Sequence, residues 1–101
     1  MFLDKDKEID FFSKVFNKDI DVDSIFIHNW DSIYVYKEED YKRINYSFSN
    51  KNQYHNFVKN IKNKQSDKNK DSYLKLSNNL DVHIHIWQSD DIWVTLKRIP
   101  N

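Results

Sequence analysis

Three residues of one short segment, Asp81, His83 and His85, have side chains that bind metal ions, and they recur at every second position. The segment alternates apolar and polar residues, which is the pattern of a β-strand, and side chains at every second position of a strand point to the same face. These three side chains would supply part of a zinc site if further ligands joined them. The sequence contains no second cluster of ligands, so we predict surface histidines and no tight metal site.

Two tryptophans share the face predicted for these histidines. Trp87 follows His85 by two positions, and Trp93 lies on the matching face of the next alternating segment. With His83, the two rings predict a surface for a ligand or a peptide, and such rings can also stack on single-stranded bases. The chain has 16 basic and 16 acidic residues, a formal net charge of zero, which gives no general attraction to a polyanion. We therefore predict no nucleic-acid partner.

Other kinds of chemistry are excluded by composition. The chain has no cysteine, which removes disulfides, thiol catalysis and the usual structural zinc sites, and no glycine, which removes glycine-rich phosphate loops. No nucleophile lies beside a base, and no carboxylate has an apolar setting that would tune it as an acid. We predict that the chain is not an enzyme by itself and has no cofactor. Without glycine, left-handed turn positions are expected to use Asn and Asp.

The elements that must position these residues follow from hydrophobic periodicity and turn residues. The apolar residues from 54 to 61 have the clearest helical spacing in the chain, and Ser49 or Asn50 can cap that helix. The predicted elements, in chain order, are a helix at 4–17, strands at 24–30, 32–37 and 41–48, a helix at 51–63, and strands at 73–76, 80–87 and 92–99.

These elements form an α+β domain in the order α-βββ-α-βββ, in which the helices cover one face of one or two antiparallel β-meanders. A chain of 101 residues has room for one such domain, spanning residues 1–101. We expect both helices on the same side of the sheets, with one core. The residues expected in that core are Phe12, Phe16, Ile25, Ile27, Phe57, Val58, Ile61, Val82, Ile84 and Val94.

The chain carries no recognisable targeting or membrane signal. No apolar run approaches the roughly 20 residues needed to cross a bilayer, and charged residues interrupt the N-terminus from Asp4. We therefore predict a soluble, cytoplasmic protein without a membrane span.

Two stretches resemble a known family. Asp23 to Val35, DSIFIHNWDSIYV, looks like the opening strand-turn-strand of the N-terminal domain of the type II/type IV secretion traffic ATPases, nearest to their bacterial Tad-pilus and type IV secretion branch. The stretch from Leu76 to Val82 occupies the place of the family's Leu-Pro-Asp-Gly-Ser-Arg-Val hairpin, and Val94 to Pro100, VTLKRIP, is similar to its Leu-Thr-Ile-Arg-Arg-Phe-Pro. The likeness covers about residues 20 to 101. The RecA-like ATPase domain that follows in the family is not part of the sequence.

The resemblance implies a module that packs against a nucleotide-binding domain, commonly in a hexameric ring. It implies that Lys97 and Arg98 stand where the family's Arg-Arg pair reaches toward nucleotide, whereas Asp81 replaces the family's hairpin Arg. A carboxylate repels phosphate, so this replacement weakens the expectation of nucleotide contact. ATP would then act only through a partner or a further domain. The implied partners are a secretion or pilus ATPase subunit or RecA-like domain, with homo-oligomers or a peripheral position at an inner-membrane complex as further expectations.

Two hypotheses for function remain at this point. The first is a non-catalytic assembly or regulatory module of a secretion or pilus-assembly ATPase, with Lys97 and Arg98 at the contact. The second is an unrelated small α+β binding protein that uses the Trp87, Trp93 and His83 face for a ligand, peptide or metal.

Overall fold

The computed structural model describes residues 8–64, 72–77, 80–88 and 91–99. Over these residues the chain folds as two helices and six strands in the predicted order, α-βββ-α-βββ. The elements are α1 (Glu8–Lys18), β1 (Val22–Asn29), β2 (Ser32–Lys37), β3 (Asp40–Arg43), α2 (Lys51–Lys64), β4 (Ser72–Ser77), β5 (Leu80–Gln88) and β6 (Ile92–Arg98). The predicted start of the first helix, at 4–7, and the turn residues at 78–79 and 89–90 lie outside the described residues.

The six strands form one antiparallel sheet in the order β3-β2-β1-β6-β5-β4. Each half of the chain contributes a meander, and the two meanders join where β1 pairs with β6, with Ile25 opposite Leu96 and Ile27 opposite Val94. This pairing joins strands that are about 70 residues apart in sequence, and it places β1 and β6 at the centre of the sheet. The prediction of one or two sheets is thereby resolved as one.

Both helices lie on the same side of the sheet, as predicted. The apolar stripes of the helices meet the inward residues of the strands in one buried cluster. A helix with apolar residues at period 3.6, and a strand with apolar residues at period 2, each present one apolar side. All ten residues expected in the core are buried. The cluster consists of Phe12, Phe16, Val22, Ile25, Ile27, Ile33, Val35, Phe48, Tyr54, Phe57, Val58, Ile61, Leu80, Val82, Ile84, Val94 and Leu96.

Helix α2 begins with the cap that its sequence predicts. Asn50 is the N-cap residue, and its Oδ1 accepts a hydrogen bond of 2.9 Å from the backbone N–H of Gln53. The side-chain oxygen of Gln53 in turn accepts hydrogen bonds from the backbone and hydroxyl of Ser49. This reciprocal arrangement satisfies N–H groups that have no partner inside the helix.

The third strand is shorter than predicted. Alternating residues suggested a strand at 41–48, but β3 ends at Arg43 and the following residues leave the regular ladder. Hydrogen bonds from Ile44 N to Ile33 O on β2 and from Phe48 N to Trp30 O in the β1–β2 turn hold the segment beside these residues. Phe48 is fully buried in the helix layer, so the chain must turn off the sheet edge to place its ring in the core.

The left-handed turn positions differ from those expected. Glu38 and Glu39 connect β2 to β3 with φ of 53° and 62°, so two glutamates occupy positions where Asn and Asp were predicted. A two-residue hairpin loop with both central φ angles positive matches the right-handed twist of the strands. Here the hairpin geometry overrides the preference of individual residues.

The turn between α1 and β1 is held by a cation from β2. Lys37 Nζ donates a hydrogen bond of 2.5 Å to Asp19 Oδ2. This hydrogen bond lowers the pKa of the Asp19 carboxyl and raises the pKa of the Lys37 ammonium.

In the described part of the chain, neither helix is long and apolar enough to cross a membrane.

Candidate functional site

The side of the sheet that faces away from the helices is here called the open face. Strand alternation directs every second side chain of the central strands to this side, and no helix of the described chain covers it. The open face carries an unusual number of rings. Phe26, His28, Tyr34, Tyr36, Tyr41, His83, His85, Trp87 and Trp93 lie on it.

Three large aromatic side chains of the open face are strongly exposed. Tyr41 is 58% exposed, Trp87 46% and Trp93 44%. Trp87 and Trp93 occupy directly opposite positions in the β5–β6 pair, so the two tryptophans share one face of the sheet, as their alternation predicts. Exposed large rings grouped on one face indicate a surface for interaction, whereas scattered single residues do not.

A groove of about 420 Å³ runs between Tyr41 and Trp93, across β2, β1 and β6. Phe26 and Thr95, which are opposite each other in the β1–β6 register, both line it. The residues that line the groove are Phe26, Ile27, His28, Tyr34, Tyr41, Trp93, Val94 and Thr95. Its volume is within the range of pockets that hold small ligands or a partner's side chain.

Ring contacts shape the walls of the groove. Tyr41 leans over β2 to reach Phe26, with ring centroids 5.2 Å apart, and also contacts Tyr36 at 4.8 Å. On the opposite wall, the rings of His28 and Trp93 lie 4.0 Å apart. These pairs hold the rings in tilted orientations, because edge-to-face and offset contacts are preferred over stacked sandwiches.

Thr95 carries a polar atom without a partner. Its Oγ1 is shielded from solvent and has no hydrogen-bond partner among the described residues. Thr95 is also the smallest side chain in its row across the sheet, between Phe26 on β1 and His85 on β5. The short side chain opens the groove at this point, and its hydroxyl lacks the hydrogen bond that buried polar groups normally make.

Charge on the open face is mainly positive. Arg43 lies opposite Tyr34, and Lys97 lies opposite both Ser24 and His83 in the strand register. Arg43 and Lys97 are exposed, and Arg43 Nη2 donates a hydrogen bond of 2.8 Å to the carbonyl oxygen of Asp31. Asp81 is the carboxylate that strand alternation directs to this face on β5, and it is exposed.

The three predicted metal-ligating residues share this face, but they do not form a closed set. The rings of His85 and Trp87 lie 4.1 Å apart, and His83 lies beside Lys97 in the register. Within the residues that the structure describes, no group of three or more metal-binding side chains is close enough to hold an ion. The prediction of no tight metal site stays a prediction that a zinc titration would test.

The two basic residues of the closing strand lie on opposite faces. Lys97 is exposed on the open face, whereas Arg98 is turned toward the helices. Arg98 donates hydrogen bonds to three backbone carbonyls: Nε to Val22 O at 3.1 Å, and Nη2 to Phe16 O at 2.6 Å and to Asp19 O at 3.3 Å. Its guanidinium also lies 5.1 Å from the centre of the Phe16 ring. Arg98 therefore supports the C-terminal end of α1, where carbonyl groups lack partners within the helix.

The sequence predicted only some of the rings that the structure places on the open face. It identified Trp87 and Trp93, but it missed the groove residues of the first meander, Phe26, Tyr34 and Tyr41. Each of these residues is at an outward position of an alternating strand, so the period-2 pattern could have predicted its direction. The pattern does not predict the pairing of β1 with β6, which brings the two sets of rings to one surface.

Comparison with known proteins adds no family to this description. No family model, no curated protein and no solved structure matches this chain.

Proposed function

We propose that this domain is a non-catalytic assembly or regulatory module that docks on its partner through the open face of the sheet. The observation that carries the proposal is the pair of exposed tryptophans, Trp87 and Trp93, at opposite positions of two neighbouring strands. Exposed tryptophan, tyrosine and arginine side chains are the residues that most often dominate the binding energy of protein interfaces. The open face groups these types around one groove.

The resemblance to secretion and pilus traffic ATPases supplies the partner in this proposal. The stretch from Asp23 to Val35 lies on β1 and β2, and the stretch from Val94 onward lies on β6. These three strands are neighbours at the centre of the sheet, and their outward side chains line the groove. The partner proposed is therefore a cytoplasmic secretion or pilus ATPase, or its RecA-like domain. Any ATP would be bound by that partner.

Lys97 is the residue of the predicted basic pair that is best placed for this contact. It is exposed on the open face, opposite His83 and four residues along β6 from Trp93. Arg98 already donates to three carbonyls near the end of α1, which favours a structural role for it. In the proposed complex Lys97 meets an acidic edge of the ATPase.

The groove favours a second candidate function, a small-ligand binding protein. Its volume of about 420 Å³ and its aromatic lining suit a planar apolar molecule. Such a ligand would use the same rings, so the two candidates differ in the size of the surface that becomes covered. Docking of a protein covers Trp87 as well as Trp93, whereas a small ligand in the groove leaves Trp87 exposed.

The experiment is a binding measurement between the purified domain and the secretion or pilus ATPase of the same organism, by calorimetry. Replacing Trp87 and Trp93 together by Ala removes two exposed anchors, and we expect affinity to fall about tenfold or more. Ile20→Ala is the matched control, because Ile20 is 82% exposed and lies in the turn between α1 and β1, not on the open face. Unchanged affinity of the double variant, or an equal loss in the control, would contradict docking through the open face.

A further inference from the structure

The shape of the groove favours a partner that inserts one side chain over a partner that stacks successive bases. The rings that form its walls meet their neighbours at steep angles, 61° for Phe26 with Tyr41 and 51° for His28 with Trp93. Tilted rings produce ridges with a hollow between them. Successive bases of a single strand need ring faces that are free for stacking, whereas a hollow receives a single inserted side chain. The groove therefore has the shape of an anchor pocket.

Charge around the groove indicates what flanks the anchor. Arg43 lies on β3 next to the Tyr34 side of the groove, and Lys97 lies on β6 two residues after Thr95. Neither cation forms an ion pair with a carboxylate of the described chain, whose ion pairs are Lys14 with Asp10 and Lys37 with Asp19. Carboxylates of a partner would thus meet two cations that no carboxylate of the described chain holds in an ion pair.

We propose that the groove receives one large apolar or aromatic side chain from an acidic partner segment, with carboxylates on either side of this anchor reaching Lys97 and Arg43. The inference rests on the proposed docking through the open face, and it specifies the chemistry of the docked segment. Two cations suit a short acidic peptide. A nucleic acid is held by neutralising many more phosphates, commonly about six to ten, which the open face does not offer.

The test uses a set of capped seven-residue peptides and the full chain labelled with nitrogen-15. The first peptide has Trp at its centre and three Asp residues on each side. The second has Ala in place of Trp, and the third has Lys in place of every Asp. Decathymidylate serves as the nucleic-acid probe. Amide and indole resonances are followed during titration, which gives both the dissociation constant and the location of binding.

We expect the Asp-Trp peptide to shift the resonances of Thr95, Phe26 and the Trp93 indole N–H. Its dissociation constant should be lower than those of the Ala and Lys peptides by about tenfold, since each control lacks either the anchor or the carboxylates. Lys97→Glu should weaken the Asp-Trp peptide and strengthen the Lys peptide. Lys59→Glu is the matched control, because Lys59 is also exposed but lies on α2.

Three outcomes would overturn the inference: equal or tighter binding of the Lys peptide, tighter binding of decathymidylate at the same resonances, or no shift of groove resonances with saturating Asp-Trp peptide. These outcomes are separate from failure of the proposed function. If the ATPase loses affinity for the Trp87 and Trp93 double variant while the peptide does not enter the groove, docking through the open face stands and the acidic anchor is wrong. If both fail, the open face is not the docking surface.

Discussion

The hydroxyl of Tyr54 on α2 donates a hydrogen bond of 2.5 Å to the backbone carbonyl of Ile92, the first residue of β6. This contact links the helix layer directly to the strand that carries Trp93 and Lys97. The Tyr54 side chain is otherwise buried among apolar residues. Burial raises the pKa of the Tyr54 hydroxyl well above its ordinary value, and the negative charge of Asp91 raises it further.

Stability at alkaline pH should depend on Tyr54. Above a pH of about 10 the unfolded chain releases the tyrosine proton while the folded protein keeps it, so the free energy of unfolding decreases by about 1.4 kcal/mol per pH unit. This contribution is fully present below about pH 10 and is lost as pH rises toward the raised pKa. Tyr54→Phe should flatten the decline above pH 10 and cost about 1 kcal/mol at neutral pH.

The measurement is urea unfolding at a series of pH values from neutral to alkaline. Tyr41→Phe is the control, because the Tyr41 side chain is 58% exposed and lies on the open face, away from α2. Lys37 is present in all three proteins, so its own titration cancels in the comparison. An unchanged alkaline slope in Tyr54→Phe would contradict the prediction.

Phe57→Ala should strongly destabilise the domain. Phe57 is buried, and its ring contacts Phe12 at 5.5 Å and Phe48 at 5.2 Å, so truncation leaves a cavity where α1, α2 and the segment after β3 meet. We expect a loss of about 3 to 5 kcal/mol, a large part of the stability of a domain this small. Lys59→Ala on the exposed side of α2 should change stability by less than about 0.5 kcal/mol. A thermal melt in which both variants behave alike would show that α2 does not pack in this way.

Features that depend on neighbouring residues in the sequence were predictable, whereas features that depend on contacts between distant residues were not. The inward set of β5 and the helical stripe of α2 are local patterns, and they predicted Val82, Ile84, Phe57 and Ile61 as core residues correctly. The pairing of β1 with β6 depends on residues about 70 positions apart, and no local pattern specifies it. For this reason the groove between Phe26 and Trp93 was not foreseen. The role of Arg98 was missed for the same reason, since its carbonyl partners lie 76 to 82 residues away.

The hairpin between β2 and β3 should be stabilised by conventional turn residues. Glu38 and Glu39 have φ of 53° and 62°, which costs an L-residue with a long side chain roughly 1 to 2 kcal/mol per position. Asn at 38 and Gly at 39 adopt these angles readily, although Gly also increases the freedom of the unfolded chain. We expect the double variant to gain about 1 kcal/mol in chemical denaturation.

A charge control separates turn conformation from electrostatic repulsion at this hairpin. Replacing Glu38 and Glu39 by Gln removes two negative charges and keeps the unfavourable backbone angles. The Gln variant should change stability by less than about 0.5 kcal/mol. If it gains as much as the Asn-Gly variant, repulsion between the glutamates is the dominant cost and the backbone explanation is wrong.

Arg98 and Lys97 should respond differently to the same substitution. Arg98→Met removes three hydrogen bonds to backbone carbonyls and the contact with the Phe16 ring, so we expect a loss of about 2 to 3 kcal/mol. Lys97→Met removes an exposed charge and should leave stability within about 0.5 kcal/mol. The melting temperature and the ATPase affinity of each variant are then compared. The comparison distinguishes a residue that stabilises α1 from a residue that contacts the partner. A stable Arg98→Met variant with reduced affinity would reassign Arg98 to the interface.

Thr95→Val should make the domain more stable. The Thr95 hydroxyl is shielded from solvent and has no hydrogen-bond partner among the described residues, so the folded protein carries a desolvation cost that the unfolded chain avoids. Val has the same branched shape and suits a strand equally well. Replacement by Val should add about 1 kcal/mol, which corresponds to a rise in melting temperature of about 4 to 8 °C for a domain of this size.

Thr95→Ser is the matched control, because it keeps the hydroxyl and removes one methyl group from the lining of the groove. We expect Thr95→Ser to be less stable than the natural protein, and the order of melting temperatures to be Val, then Thr, then Ser. A loss of stability in Thr95→Val would mean that the hydroxyl makes a favourable interaction in solution, for example with water. The same two variants bear on binding: if a partner's polar group reaches the hydroxyl, Thr95→Val should weaken the Asp-Trp peptide even as it raises the melting temperature.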